Sequence, residues 1–306
     1  MASYRLTDDE VTSFIMEAND YVKYEIPYTS LLPIKRIPEC YTHTWYTSAE
    51  FDGPESSKDG RAVYDVRTAR TSGSANVSSL VYTFEIPRNE VEMAQQAGVP
   101  IWSENVGNAL RKMNDNICNW ILTGTNSWDK VSITGMYSGG TVCATALDAV
   151  AWNTATSPLT HAAAGFGQLW GYGYKPPYTW VLHNTLHPGL ITKYGAGDPA
   201  QIEMLEPYGI SKNDLIFVAG SGLSSTATTR MNLYPGGTPA GDDGMWWMYK
   251  KDPNYAYLAE VKPITTTINP ELDFRRQCYH GRIEWRGTVA IVQATSICYE
   301  EQADLA

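Results

Sequence analysis

The stretch VYTFEIPRNEVEMAQQAGVPIWSENVGNALRKMNDNICNWILTG, residues 81–124, decides how the rest of the chain must be arranged. It passes from a strand through a short helix into one long two-faced helix, and it carries no constellation of catalytic side chains. After Ser103 the apolar positions Val106, Leu110, Met113, Ile117, Trp120 and Ile121 keep the 3–4 spacing of a helical stripe. Ser103 is expected to cap the start, Glu104 suits the positive end of the helix dipole, and Gly124 supplies a left-handed stop. At ~1.5 Å per residue such a helix is about 30 Å long, enough to cross a domain as a spine.

Working outward, the N-terminal side opens with Thr7-Asp8-Asp9-Glu10, a capping box. It leads apolar residues at Val11, Phe14, Ile15, Ala18, Tyr21 and Val22, which predicts an amphipathic helix ending before Pro27. The segment IPYTSLLPIKRIPEC, residues 26–40, has prolines at 27, 33 and 38 and is expected to run extended across another part of the assembly. Residues 41–85 read as a long two-stranded excursion. Its outgoing strand is YTHTWYTSAEF (41–51), its tip is FDGPESSKDGRA (51–62), and strand character returns at 62–67 and 76–86. Two-stranded ribbons are marginal alone in water, so this one is expected to pack on a neighbouring subunit.

Beyond the spine, 141–154 predicts a helix, 178–182 (YTWVL) a strand leading into a helix near 184–194, and 214–219 (DLIFVA) a buried strand. Two glycine-rich loops, GSGLSSTATTR (220–230) and PGGTPAGDDG (235–244), separate these elements. The block 141–254 therefore reads as an α/β unit inserted into the first. The closing segments YLAEVKPITTTI (257–268) and HGRIEWRGTVAIVQATSICYEE (280–301) alternate as antiparallel strands, with Arg286-Gly287 as a candidate hairpin turn. The spine is the expected cover for that sheet.

The chain has 306 residues, 43% hydrophobic and 18% charged, so it can bury a substantial core in two domains or one elaborated domain. A formal net charge of −10 argues against a nucleic-acid or anionic-membrane binder, since either needs a basic surface. No apolar run reaches the ~20 residues needed to span a bilayer, and MASYRLTDDEV lacks a signal-peptide core, so synthesis in the cytoplasm is expected. Five cysteines, Cys40, Cys118, Cys143, Cys278 and Cys298, form no CxxC pair and are expected to be reduced and mostly buried. Ten tryptophans and twenty tyrosines suit a chain that meets many neighbours, although an aromatic core uses the same residues.

Possible reaction chemistry is sparse. His183 and His187 are four apart, but no glutamate follows His183 and Pro188 follows His187, so a metal site is not expected there. Residues 220–224 (GSGLS) are not a nucleophile elbow, and no glycine-rich loop continues into the Lys-Ser/Thr of a phosphate-binding loop. Asp242-Asp243 and Glu300-Glu301 read as solvated carboxylates, with a weak cation site as the alternative. No catalytic residue, cofactor-binding residue or metal ligand is assigned.

The order of parts, with the wording YTFEIPRNEVEMAQQAGVPI (82–101), NICNWILTG (116–124), ITGMYSGG (133–140) and RIEWRGTVAIVQATSICY (282–299), resembles the Hong Kong 97-type major capsid protein of tailed phages and tailed archaeal viruses. The resemblance covers nearly the whole chain, and its motifs describe architecture without a chemical signature. It implies an α+β fold with an N-terminal arm (1–40), an extended loop (41–85), a peripheral domain around the spine helix (86–140 and 255–306) and an inserted axial domain (141–254). The implied function is a major capsid protein that self-assembles as pentamers and hexamers into an icosahedral virus shell enclosing double-stranded DNA, with no reaction catalysed and no cofactor. Implied partners are other copies of itself, separate scaffolding, portal and decoration proteins, and DNA held without sequence-specific contacts; no membrane is involved, and the location is the virion. Intersubunit contacts are expected from Trp45, Tyr46 and Phe51 as buried anchors and from Asp52, Glu55, Lys58, Asp59 and Arg61 as rim charges. Relatives that crosslink a loop lysine to an asparagine leave only Lys58 as a candidate near the tip, and no such link is expected. About forty residues precede the extended loop, so assembly would use a separate scaffold or none. Encapsulin shells share the fold and remain an alternative, as does an α/β enzyme with an unrecognised site.

Overall fold

A computed structural model describes residues 27–48, 70–97, 101–124, 134–143, 157–183, 187–191, 200–218, 244–269, 271, 273 and 275–303. The capping-box helix of residues 7–22, the ribbon tip and both glycine-rich loops lie outside the described residues.

The spine is the helix α2 (Ile101–Thr123), preceded by α1 (Arg88–Ala97) and followed by the single turn α3 (Met136–Gly139). Every stripe position from Val106 to Ile121 is buried, at 4% exposure or less. Gly124 takes φ 87°, the left-handed stop its lack of a Cβ permits, and its N–H donates to the Trp120 carbonyl at 3.0 Å. The helix starts at Ile101, three residues earlier than a Ser103 cap implies, which puts Ser103 inside it.

Two sheets flank this spine. The first has strand order β1-β9-β10-β4, built from β1 (Ile34–Arg36), β4 (Ser78–Pro87), β9 (Ala256–Ile268) and β10 (Cys278–Ile291). The second has order β5-β11-β8-β6-β7, built from β5 (Thr141–Val142), β6 (Thr179–His183), β7 (Leu215–Val218), β8 (Gly244–Tyr249) and β11 (Ile297–Ala303). Strand periodicity explains how the second sheet shares its bulk. Val181, Trp247, Tyr249, Ile297 and Tyr299 join the spine in one core, while Trp180, Leu182, Trp246, Met248 and Cys298 join α4 (Ser157–Gly171) in another. Both faces are covered, which is why YTWVL and MWWMY read as unbroken apolar runs. The first core also takes Leu258, Ile283, Trp285 and Val289 from the first sheet, so the spine holds both sheets together.

Several expectations need correction. Arg286-Gly287 is no turn: it lies inside β10 at a register shift against β9. A Cβ on Gly287 would come within 2.6 Å of the Trp285 ring and 2.9 Å of the Ala259 carbonyl, so glycine is there for close packing beside a bulge. Thr141–Val142 pairs parallel with β11 as a strand, where a helix was expected from 141; the described helix of that region is α4. The return strand 76–86 belongs mostly to β4, which pairs with β10 over its length, so the free ribbon ends at Asn76. The C-terminal strand β11 sits in the second sheet between β5 and β8, so the block 141–254 does not close without it. Its sheet also shares the spine's core, so this block packs directly on the spine.

Cys118, Cys143, Cys278 and Cys298 are buried, Cys40 is half-buried, and none of the five forms a disulfide. Among the described residues no helix is long and apolar enough to cross a membrane.

Candidate assembly surface

The ribbon β2 (Thr42–Ser48) and β3 (Arg70–Asn76) pairs antiparallel from Thr42↔Asn76 to Ser48↔Arg70. Its two faces have opposite roles. His43 and Trp45 turn inward: the His43 ring meets Tyr257 edge-on at 5.8 Å and hydrogen-bonds its hydroxyl at 2.8 Å through Nε2. Trp45 packs with Ile37 and Val292 against Tyr257, Ala259 and Ala290, on the first sheet's face away from the spine. Gly73 lies directly under the Trp45 indole, where an added Cβ would sit 2.6 Å from Cε2. Burial first, and Lys35 second, hold the His43 pKa below its ordinary value, which favours the neutral ring that fits this dock.

Trp45 is therefore an anchor within its own chain. The ribbon's root does have apolar neighbours in the chain. Tyr46 projects from the opposite face and is 69% exposed, and Tyr41 at the ribbon's root is 87% exposed. Of the other residues expected at the interface, Phe51, Asp52, Glu55, Lys58, Asp59 and Arg61 lie outside the described residues.

Between the ribbon root and the first sheet is a cleft of about 940 Å³, floored by Trp120 and Trp285. Its charges are paired. Arg286 meets Glu39 at 2.7 Å, donates to the Cys40 carbonyl at 3.0 Å and lies 5.5 Å from the Tyr41 ring centre, while Glu284 receives both Arg282, at 2.7 Å, and Lys262. Each such half-exposed pair adds roughly 0–1 kcal/mol. The cleft brings together no nucleophile and base.

A second exposed aromatic pair ends α4. Trp170, 52% exposed and stacked on Phe166 at 5.6 Å, is followed by Tyr172 at 53%. Sequence reasoning passed over this pair and Tyr41, since neighbouring aromatics at a helix end look the same whether covered or bare.

His183 ends β6 and His187 opens α5 (His187–Ile191), so they share no helix face; the His187 ring packs edge-on to Phe217 at 4.6 Å. Glu300, expected to be solvated, is buried in β11.

The arrangement is a spine helix between two sheets, with a projecting ribbon and bare aromatics at separated places. Solved structures give it a name: the fold is the Hong Kong 97 type. The chain is similar to the virus-like particle from Pyrococcus furiosus at TM-score 0.59 and 12% identity, over 96% of this chain and 99% of that one. It is similar to the capsid of Myoviridae phage XM1 at TM-score 0.60 and 12% identity, over 99% and 96%. The capsid of a native GTA particle, computed with C5 symmetry, aligns at TM-score 0.58 and 9% identity, over 92% and 93%. No protein-family model and no curated protein matches the sequence.

Proposed function

We propose that this chain is a major capsid protein, a structural subunit that self-assembles as pentamers and hexamers into an icosahedral shell around double-stranded DNA. The observation that carries the reading is coverage: the likeness to particle-forming structures runs through 92–99% of this chain. The mechanism is geometric. In this reading the first sheet and spine form the peripheral platform, the second sheet and α4 form the axial part, and the ribbon reaches a neighbouring subunit with Tyr46 and its charged tip. In this reading packaged DNA is enclosed without sequence-specific contacts, and the net charge of −10 disfavours tight binding to its phosphates. Separate scaffolding, portal and decoration proteins would complete the particle.

Purified protein examined by light scattering and electron microscopy should give closed particles or capsomers. A strictly monomeric protein at high concentration across several salt conditions would defeat the proposal. Particles formed in the producing cell that carry a protein cargo in place of DNA would move the reading to an encapsulin shell.

The two ribbon faces separate folding from assembly. Tyr46→Glu removes nothing the subunit itself packs, so its stability should change by no more than about 0.5 kcal/mol while assembly is strongly impaired. Trp45→Ala should instead cost the isolated subunit roughly 1–3 kcal/mol, because a half-buried indole leaves its seat on Gly73. Paired denaturation and scattering measurements check both; a Tyr46→Glu variant that assembles normally removes that face from the interface.

A further inference from the structure

At the far end of the first sheet, three separate backbone segments bring four metal-ligating side chains together. Glu85 comes from the end of β4, Cys278 and His280 from the start of β10, and Asp273 from the turn that links β9 to β10. Among the described residues, Glu85, Cys278 and His280 form the one group of three with ligand atoms all within 4.8 Å of one another. The Nε2 of His280 faces Asp273 Oδ2 at 3.3 Å and Cys278 Sγ at 3.8 Å, while Nδ1 faces Glu85 Oε1 at 3.6 Å. Bond lengths of about 2.0–2.1 Å to nitrogen or oxygen and about 2.3 Å to sulfur imply tetrahedral edges of roughly 3.3–3.6 Å. Two of the edges are thus nearly in place around Nε2.

Asp273 lies outside the group of three, so the third edge, from Asp273 to Cys278, has to close as the cation binds. Asp273 and Cys278 are partners in an antiparallel bridge, so their side chains leave the same face of the pair. The turn's backbone already fixes the carboxylate: the Arg275 N–H donates to Asp273 Oδ1 at 2.9 Å, leaving Oδ2 toward the imidazole. On the ring's other side Glu85 can accept the Nδ1 proton, the arrangement by which an outer carboxylate orients a ligating histidine.

The geometry points to a zinc-class transition-metal site in which Cys278 Sγ, His280 Nε2 and Asp273 Oδ2 are the ligands, Glu85 orients the imidazole, and water fills the fourth position. A thiolate with an imidazole selects zinc or cobalt(II) over magnesium or calcium, which prefer all-oxygen cages. Binding releases the Cys278 proton to solvent. Arg276 now meets Glu85 at 2.5 Å, and its side chain is 65% exposed, so the guanidinium can swing into water as the cation enters. The metal would pin the 271–277 turn, where Gln277 holds φ 54° and accepts the Arg88 N–H at 2.9 Å, to the entry of α1. That is a strap across one end of the platform, and it acts without any reaction.

The test uses the full chain after chelator treatment, titrated with cobalt(II) alone and then with zinc(II). One equivalent of cobalt should bind with a thiolate charge-transfer band, zinc should displace it, and zinc should raise the melting temperature of the chelated protein. Cys278→Ser and His280→Gln should each weaken binding at least ~100-fold, Asp273→Asn about 10–100-fold and Glu85→Gln about 10-fold, while Cys40→Ser leaves it unchanged. His280 is 38% exposed on its side chain, so His280→Gln keeps the test valid if Cys278→Ser fails to fold. Absence of a stoichiometric cobalt complex, a complex without the thiolate band, or full binding in His280→Gln would each overturn the site.

Discussion

Leu110→Asp is expected to lower stability by at least ~4 kcal/mol, and the chelated and metal-loaded subunits should suffer equally. Leu110 is 1% exposed in the core that receives side chains from both sheets. Removing the isobutyl group alone costs about 2–5 kcal/mol, and an ionised carboxylate left there without a partner adds several more. For a chain of this size each kcal/mol moves the melting temperature by roughly 2–4 °C or less, so a fall on the order of 10 °C, or outright failure to fold, is the expected reading. Two controls give the number its meaning. Leu110→Met conserves volume and should cost under about 1.5 kcal/mol, and Lys112→Asp on the exposed face should stay within about 0.5 kcal/mol. Thermal unfolding followed by near-ultraviolet dichroism reads all three. A Leu110→Asp variant with an unchanged melting temperature would mean that the spine does not join the sheets.

How far the sequence revealed this arrangement depends on whether a feature is local. The spine was legible because one face of a long helix must stay apolar at a fixed period, and all six stripe positions are buried. The strands at 178–182 and 214–219 were legible because a sheet covered on both faces needs apolar residues without alternation. Arg286-Gly287 was misread because glycine serves equally in a turn and beneath a tryptophan; only the partner ring, from Trp285, tells them apart. The direction of the ribbon was hidden for a related reason. Alternation says that Trp45 and Tyr46 face opposite ways, but it takes Gly73 and Tyr257, distant in sequence, to decide which way is in. The cluster at Glu85, Asp273, Cys278 and His280 was invisible as a unit, since β4 and β10 meet only through sheet pairing. Cys278 and His280 lie two apart and share a strand face, a spacing that by itself also fits ordinary core packing.

Trp285→Ala is the other change expected to act most strongly, at about 4–5 kcal/mol, because the indole performs two tasks at once. It fills volume at 1% exposure, edge-on to Trp120 at 6.2 Å and to Tyr28 at 6.5 Å. It also donates from Nε1 to Glu260 Oε1 at 3.1 Å, and that same oxygen accepts the Tyr28 hydroxyl at 2.8 Å. Glu260 is 2% exposed, so each donor lost leaves a buried carboxylate less satisfied. Trp285→Phe keeps most of the ring and removes only the donor, and should cost about 1.5–3 kcal/mol; Tyr28→Phe, which also loosens the 27–32 segment, should cost about 1–2 kcal/mol. Since both bonds end on one oxygen, the double variant should lose more than the sum of the two. Adding Glu260→Leu to that double variant should then recover much of the loss, because an apolar side chain asks for no donors where a stranded carboxylate asks for several. Urea unfolding of the isolated subunit supplies these differences. Additive losses, or a triple variant no more stable than the double, would show that Glu260 is satisfied from elsewhere and that Trp285 acts through volume alone.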